Sequence, residues 1–215
     1  MAVLGLSLVS VTSCVATFRE QAVYFREASE LPQPLQTTAY WAGKSLAALP
    51  TALASSALFT FVYHLLATPL GDFATYFAVF LGVYLCCAAY AYLVAILFPN
   101  SNAIVIGASI VFASVVLGGS IITLRDLLTR SFPLSTAPYV SYCRYALEAI
   151  FVAEIDKYTP AAAVFGFDLD AYASRAYGFK MGSYGVDVGI LYALAAILQL
   201  CVLLSLHLKG RDKKR

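Results

Sequence analysis

The sequence predicts an all-α fold: a polytopic membrane helical bundle of about five transmembrane helices, with a further re-entrant or interfacial helix in the last external loop. Three observations carry that expectation. Hydrophobic residues make up 61% of the 215 and charged ones 12%, with a mean hydropathy of +0.79. That is the composition of a chain immersed in lipid, not of a soluble domain. Five apolar runs reach or approach the roughly 20 residues that a helix needs to cross a bilayer. The last seven residues, KGRDKKR, hold five basic side chains directly after the final run, which marks a cytoplasmic flank. The length accommodates one membrane domain and no large soluble one beside it. The net charge of +2 adds little.

The first run, residues 1–18, is short. No basic region precedes it and the first positive charge, Arg19, follows it. That suits a helix with its N-terminus outside better than a signal peptide. The run also reads as the remaining part of a longer helix. The second run, about 48–70, opens with Pro50, a residue tolerated near a helix start. The third, about 73–97, is closed by Pro99, and the tight turn FPNSNA makes the fourth, about 103–124, its antiparallel neighbour. The fifth is about 186–208. With the tail inside, five spans put residue 1 outside, 19–47 inside and 125–185 outside. That long segment carries six basic and six acidic residues, but long translocated loops obey the charge rule weakly, so orientation rests on the tail. Within it, the Gly/Tyr/Ala-rich stretch 158–185 reads as an irregular exposed loop. Before it, APYVSYCRYALEAIFVAEI is amphipathic and rich in tyrosine, as suits a short helix at or dipping into the interface.

Few polar residues interrupt the runs. The five cysteines form no CxxC or Cys/His cluster and read as small buried thiols rather than a metal or redox site; Cys143 lies in the more polar region. AGKS at 42–45 imitates the end of a phosphate-binding loop, but Thr38 stands where the pattern needs glycine and no apolar strand leads into it. His64 is read as the only ionisable group well inside a span, without an acidic partner in any span, and therefore as a packed or interfacial histidine rather than a proton relay. Ser56, Thr60 and Thr68 share its helix face at four-residue spacing. Ala74, Ala78 and Gly82 form one small-residue face, and Gly185 and Gly189 another; both are expected to serve helix packing. GASI and GGSI (107–110 and 118–121) lack the glycine that should follow the serine of an intramembrane protease.

The polar stretch FREQAVYFREASELPQPLQTTAYWAGKSLAALP, 18–50, stands apart. Arg19-Glu20 and Arg26-Glu27 are seven residues apart, which places both pairs on one helix face. That face reads either as solvated local ion pairs, worth little in stability, or as a docking surface for a cytoplasmic partner. The stretch resembles the cytoplasmic loop between the second and third transmembrane helices of the ABC transporter G subfamily, the White and sterol/drug half-transporters. Phe18, Glu20, Tyr24, Phe25, Arg26, Glu27, Tyr40, Lys44 and Pro50 carry the likeness. A second segment, YVSYCRYALEAIFVAEI (139–155), is similar to the one that follows the family's fifth helix, through Ser141, Arg144, Tyr145, Glu148, Ala149 and Glu154.

The resemblance implies an ABC-2 type transmembrane (permease) domain over 1–208, N-terminally truncated. It would have a cytoplasmic coupling segment at 19–47, an external loop at 125–185 and a basic cytoplasmic tail at 209–215. The nucleotide-binding domain would be absent, with the first helix and part of the second. Glu20, Arg26 and Glu27 would make the charged contacts to the ATPase domain. Leu117, Gly118, Gly119, Ile121 and Ile122 would form a gate or line the pathway. Ser141, Arg144, Tyr145, Glu148 and Glu154 would belong to the external re-entrant segment. The chain would perform no catalysis and hold no cofactor or metal itself; ATP and Mg would be bound by a missing or partner domain. Its partners would be membrane lipid, a nucleotide-binding domain and a second half-transporter in a homo- or heterodimer, with no nucleic acid. It would be a multi-pass protein of the plasma or an intracellular membrane that exports lipids, sterols or hydrophobic compounds. The sequence departs from many members in having no cysteine in 156–185 and no N-x-S/T sequon. The alternative reading is a membrane protein that does not use ATP: a channel, scaffold or secondary transporter. Intramembrane acids or inverted repeats would favour the transporter, and neither is read here. An intramembrane hydrolase is the weakest alternative.

Overall fold

The computed structural model describes residues 2–18, 36–98, 102–120, 124–129, 135–164 and 168–212, and their regular elements are all helical. In chain order these are α1 (Ala2–Val15), α2 (Thr37–Ala67), α3 (Phe73–Leu97), α4 (Ala103–Leu117), α5 (Leu124–Leu128), α6 (Ala137–Val140), α7 (Tyr142–Val164), α8 (Leu169–Ala176) and α9 (Tyr184–Asp212), with a short 3₁₀ turn, Ala16–Phe18, after α1.

The bundle is organised around α3. This helix is apolar on every side, and a helix with no polar face belongs inside. Of its apolar stretch 78% is buried, against 17% each for α2 and α9. α1, α2, α4, α7 and α9 all pack on it. α2, α3 and α9 are long and apolar enough to cross a membrane. α1 and α4 are apolar but have only 14 and 15 residues, about 21–23 Å at 1.5 Å per residue. α1 is a packed element of the core: Leu6, Val11 and Val15 are buried on the bundle side.

Close approach is built from small residues. A β-carbon on Gly82 would stand 2.6 Å from Leu191 Cδ2, and one on Gly107 2.6 Å from Val11 Cγ1, so α3–α9 and α4–α1 meet nearly backbone to side chain. Ala52, Ser56 and Thr60 are the buried line of α2; Thr68 is exposed beyond the helix end. Gly185 and Gly189, in contrast, have open space where a β-carbon would go, so their expected packing partner does not lie among the described residues.

Four sequence expectations need correction. α2 starts at Thr37, not near Pro50, which lies inside the helix. Tyr40 and Trp41 pack on the core and the Trp41 indole Nε1–H donates to Gln199 Oε1 at 3.3 Å, so tertiary contacts carry the helix across the proline. Residues 37–47 of the expected coupling segment are thus continuous with the span. The fourth run ends at Leu117, well before residue 124, because Gly119 takes φ +90°, a left-handed conformation that breaks the helix. The stretch 158–185 is not wholly irregular, since α7 continues to Val164 and α8 covers Leu169–Ala176. Cys143, expected in a polar setting, is fully buried; Cys201 is the exposed thiol, and all five are free.

α7 covers most of the segment expected to be re-entrant or interfacial. Its first residue, Tyr142, packs its ring 5.9 Å from that of Tyr90 in the second half of α3. Farther along, Glu154 meets Tyr76 at the start of α3. α7 therefore begins within the depth of the bundle and climbs about 18 Å back to the α2–α3 turn.

Candidate functional site

The structure brings two of the sequence-predicted groups into one junction, where the end of α4 meets the start of α7. Ser141 Oγ donates to the Ser114 carbonyl at 2.6 Å. Gly118 is buried beneath α7: a β-carbon there would lie 2.7 Å from Cys143 Cβ and 2.9 Å from the Arg144 backbone nitrogen. Leu117 is half-buried and Gly119 adopts its left-handed turn immediately after. The described part of the expected gate, Leu117 to Gly119, is therefore in direct contact with the start of the segment expected to be re-entrant, with glycine required for contact at one position and for backbone conformation at the next. Ile121 and Ile122 lie outside the described residues, as do Glu20, Arg26 and Glu27.

A buried charge cluster sits above this junction. The Arg144 guanidinium lies 4.4 Å from the Tyr139 ring centroid and 5.4 Å from that of Tyr145, a cation–π arrangement. Its Nε is 3.8 Å from Glu148 Oε2, one turn along α7. The Tyr145 hydroxyl donates to the Tyr139 carbonyl at 3.0 Å and so fixes the α6–α7 corner. Glu148 is 3% exposed and accepts the Lys180 backbone N–H at 2.8 Å. Burial pushes its carboxyl above the ordinary range, the Lys180 N–H pulls it back, and the nearby Asp187 raises it further. Asp187, 5% exposed in the first turn of α9, accepts the Ser183 hydroxyl at 2.6 Å, and that hydroxyl also reaches the Lys180 carbonyl at 2.7 Å.

Sequence reasoning missed Asp187. It stands at the second position of the fifth apolar run, where an acid reads as a solvated helix end. Its folding under α7 and the Lys180–Ser183 turn makes it a buried acid, so His64 is not alone among ionisable groups near the spans. The signal available was the single carboxylate in an otherwise uncharged run.

Glu154 serves a second joint. Its carboxylate accepts the Leu70 N–H at 3.1 Å and the Tyr76 hydroxyl, tying the α2–α3 turn to α7. Lys157 and Asp72 add an exposed pair at 3.6 Å, worth little in water. His64 is packed as expected: its Nδ1 lies 3.1 Å from the Thr60 carbonyl, its Nε2 3.4 Å from the Gly71 carbonyl, and its ring 5.2 Å from Tyr76.

Among the described residues no group of three or more His, Cys, Asp or Glu side chains is placed to hold a metal ion. Gly43 to Ser45, the phosphate-loop imitation, lies within α2 as continuous helix. The arrangement ties α7 by hydrogen bonds to the end of α4, to the α2–α3 turn and to the turn before α9. A family model described as ABC-2 type transporter matches residues 1–155. A search among curated proteins found no match.

Proposed function

The chain belongs to the ABC-2 type transporter family, and from that premise we propose that it is the membrane-spanning permease of a G-type exporter, moving lipids, sterols or other hydrophobic compounds outward. ATP is hydrolysed in a nucleotide-binding domain, carried by a longer form of this chain or by a partner chain. The permease contributes the pathway and converts the state of that domain into helix movement. Two such halves face each other, with the substrate between them and the C-terminal tail on the cytoplasmic side.

The observation that carries this reading is the junction of Gly118 and Ser141. It couples the end of α4 directly to α7, and Glu148 couples α7 to the turn before α9 through the Lys180 N–H. A push on one helix is thereby transmitted to the segment Leu117–Ile122 as a switch between two packings rather than as a gradual bend. Glu20, Arg26 and Glu27 are the contacts through which the push arrives.

The test is a reconstituted complex containing this permease and its ATPase domain. Arg26→Ala combined with Glu27→Ala is expected to leave ATP hydrolysis within about twofold of the wild type while substrate export falls at least about tenfold, a loss of about 1.4 kcal/mol of coupling. Export at the wild-type rate would remove these residues from the coupling role.

A further inference from the structure

The far end of α9, away from the junction, leads straight into the densest charge run of the chain. α9 is one uninterrupted helix to Asp212. Its apolar part, Tyr184–Leu208, has 25 residues, about 37 Å against a hydrocarbon core of about 30 Å. A spanning α9 has therefore used its apolar length at Leu208 and enters the headgroup layer with Lys209. Five basic residues follow within seven positions, Lys209, Arg211, Lys213, Lys214 and Arg215, with Asp212 the single acid among them. The last three lie outside the described residues.

As it approaches this run, α9 turns one side to the bundle and the other to lipid. Leu191, Ala195, Val202 and Leu206 form its buried line, and Ile197, Leu200, Leu204 and Leu208, each more than half exposed, form the opposite one. Spacing of three and four residues carries that outward line on to Arg211. The lipid-facing side thus ends in a positive charge at headgroup height, with three further basic residues after it. The acids engaged within the bundle lie elsewhere. Glu154 meets the first turn of α3, while Glu148 and Asp187 sit at the start of α9. Asp187 is about 36 Å from Arg211 along the helix, far beyond a Debye length of about 8 Å, so these acids do not neutralise the run. Clusters of about four to eight basic residues beside a span attract anionic headgroups, and charge complementarity here selects a lipid of net negative charge over a zwitterionic one.

We propose that the outward side of α9 at Leu204 and Leu208, together with the run Lys209–Arg215, is a binding surface for an anionic phospholipid. The acyl chains lie along the two leucines and the phosphate is held at Arg211 with the lysines around it. The bound lipid fixes the height of α9 in the bilayer. Because the other end of α9 carries Asp187, hydrogen-bonded to the Lys180–Ser183 turn that Glu148 grips, the anionic content of the leaflet sets how firmly that joint is held. The surface requires only that α9 spans a bilayer, so it stands independently of ATP coupling, of export and of the side that the tail faces.

The test uses the full chain in phosphatidylcholine nanodiscs with a minor share of a lipid that carries a diazirine at the top of one acyl chain, either a phosphatidylserine or the matching phosphatidylcholine. Photolabelling within 200–215 by the serine lipid is expected at least about fivefold above the choline lipid, the discrimination of a single basic residue near an anionic surface. Label on Leu65, on the outer face of α2, should not distinguish the two. The preference should fall to parity between about 0.15 M and about 1 M salt, as the Debye length shrinks from about 8 to about 3 Å. Lys209→Gln, Arg211→Gln, Lys213→Gln, Lys214→Gln and Arg215→Gln together should give parity at low salt, and Lys209→Arg, Lys213→Arg and Lys214→Arg together should keep the preference. The salt series needs no variant, so the outcome does not depend on how the glutamine protein folds. Equal labelling of the wild type by the two lipids at low salt, the result if acids of this chain or of another protein cover the run, would overturn the proposal. A preference that survives the five glutamines would overturn it too, and so would one abolished by inorganic phosphate at matched ionic strength, which would assign the run to a free anion.

Discussion

At the residue scale, Gly118 and Gly185 make a controlled pair. Gly118 has φ −80°, which any residue adopts, so its requirement is spatial. An added methyl meets the Arg144 backbone nitrogen and Cys143 Cβ, and neither is the free end of a flexible side chain. Gly118→Ala is expected to cost about 1–3 kcal/mol, as overpacking does. Gly185→Ala enters open space in a helix and should be neutral or stabilising by up to about 1 kcal/mol. Thermal unfolding in detergent reads both. Glu148 makes a pH prediction. Its folded-state carboxyl is held above the ordinary 4.5 by burial. Its favourable contribution is therefore complete below that value and is lost as pH rises through the raised one. Glu148→Gln, which still accepts the Lys180 N–H, does not titrate. Its stability relative to wild type should improve as pH rises from acid to neutral, and a pH-independent difference would show that the carboxyl is not perturbed.

At the element scale, the α2–α3 turn is fastened to α7 by one side chain. Glu154 takes both the Leu70 N–H and the Tyr76 hydroxyl, and a hydrogen bond to a charged group contributes about 1.5–3 kcal/mol. Glu154→Ala should raise the exchange rate of the Leu70 amide at least about tenfold. Tyr76→Phe should have a smaller effect, because it leaves the Leu70 bond in place. Unchanged exchange in both would mean that the turn is held by other contacts. Element bounds show what was legible. α3, read as 73–97, has those bounds in the structure, because a long uninterrupted apolar run has only one way to be satisfied. α2 starts at Thr37, eleven residues before the expected 48, since Pro50 looks like a helix start until Trp41 and Gln199 are seen to meet. α4 was read too long because a Gly-Gly pair in an apolar run shows no change in hydropathy where the backbone turns.

At the scale of the whole molecule, α1 and α4 are the anomaly. α4 is shorter than the roughly 30 Å hydrocarbon core, and Val9, Val105 and Phe112 lie exposed on the two helices, as do Thr12, Ser13 and Ser109, whose hydroxyls bond back to their own helices. Apolar helices with an outward small and polar stripe are better covered by protein than by lipid. We therefore expect another protein surface to cover the α1–α4 face, the second half-transporter if the proposed function holds. In a Cys201→Ser background, Val105→Cys should cross-link two copies in membranes, or this chain to a partner half. Leu65→Cys and Leu204→Cys, on the outer faces of α2 and α9, should not. Cross-linking through α2 or α9 instead would move the interface to the opposite flank.

The sequence by itself determined the class of this protein. Its apolar runs are long enough, and its charges few enough, that only a helical membrane bundle satisfies the backbone in lipid, and the polar segments at 18–50 and 139–155 already resembled one transporter subfamily. The tertiary structure alone decided that the Gly118 turn lies under Cys143 and Arg144, that Asp187 is buried and that Ser45 lines a cavity. Each of these depends on which helix lies beside which. Hydropathy records how strongly a residue avoids water, not which neighbour it finds when it does.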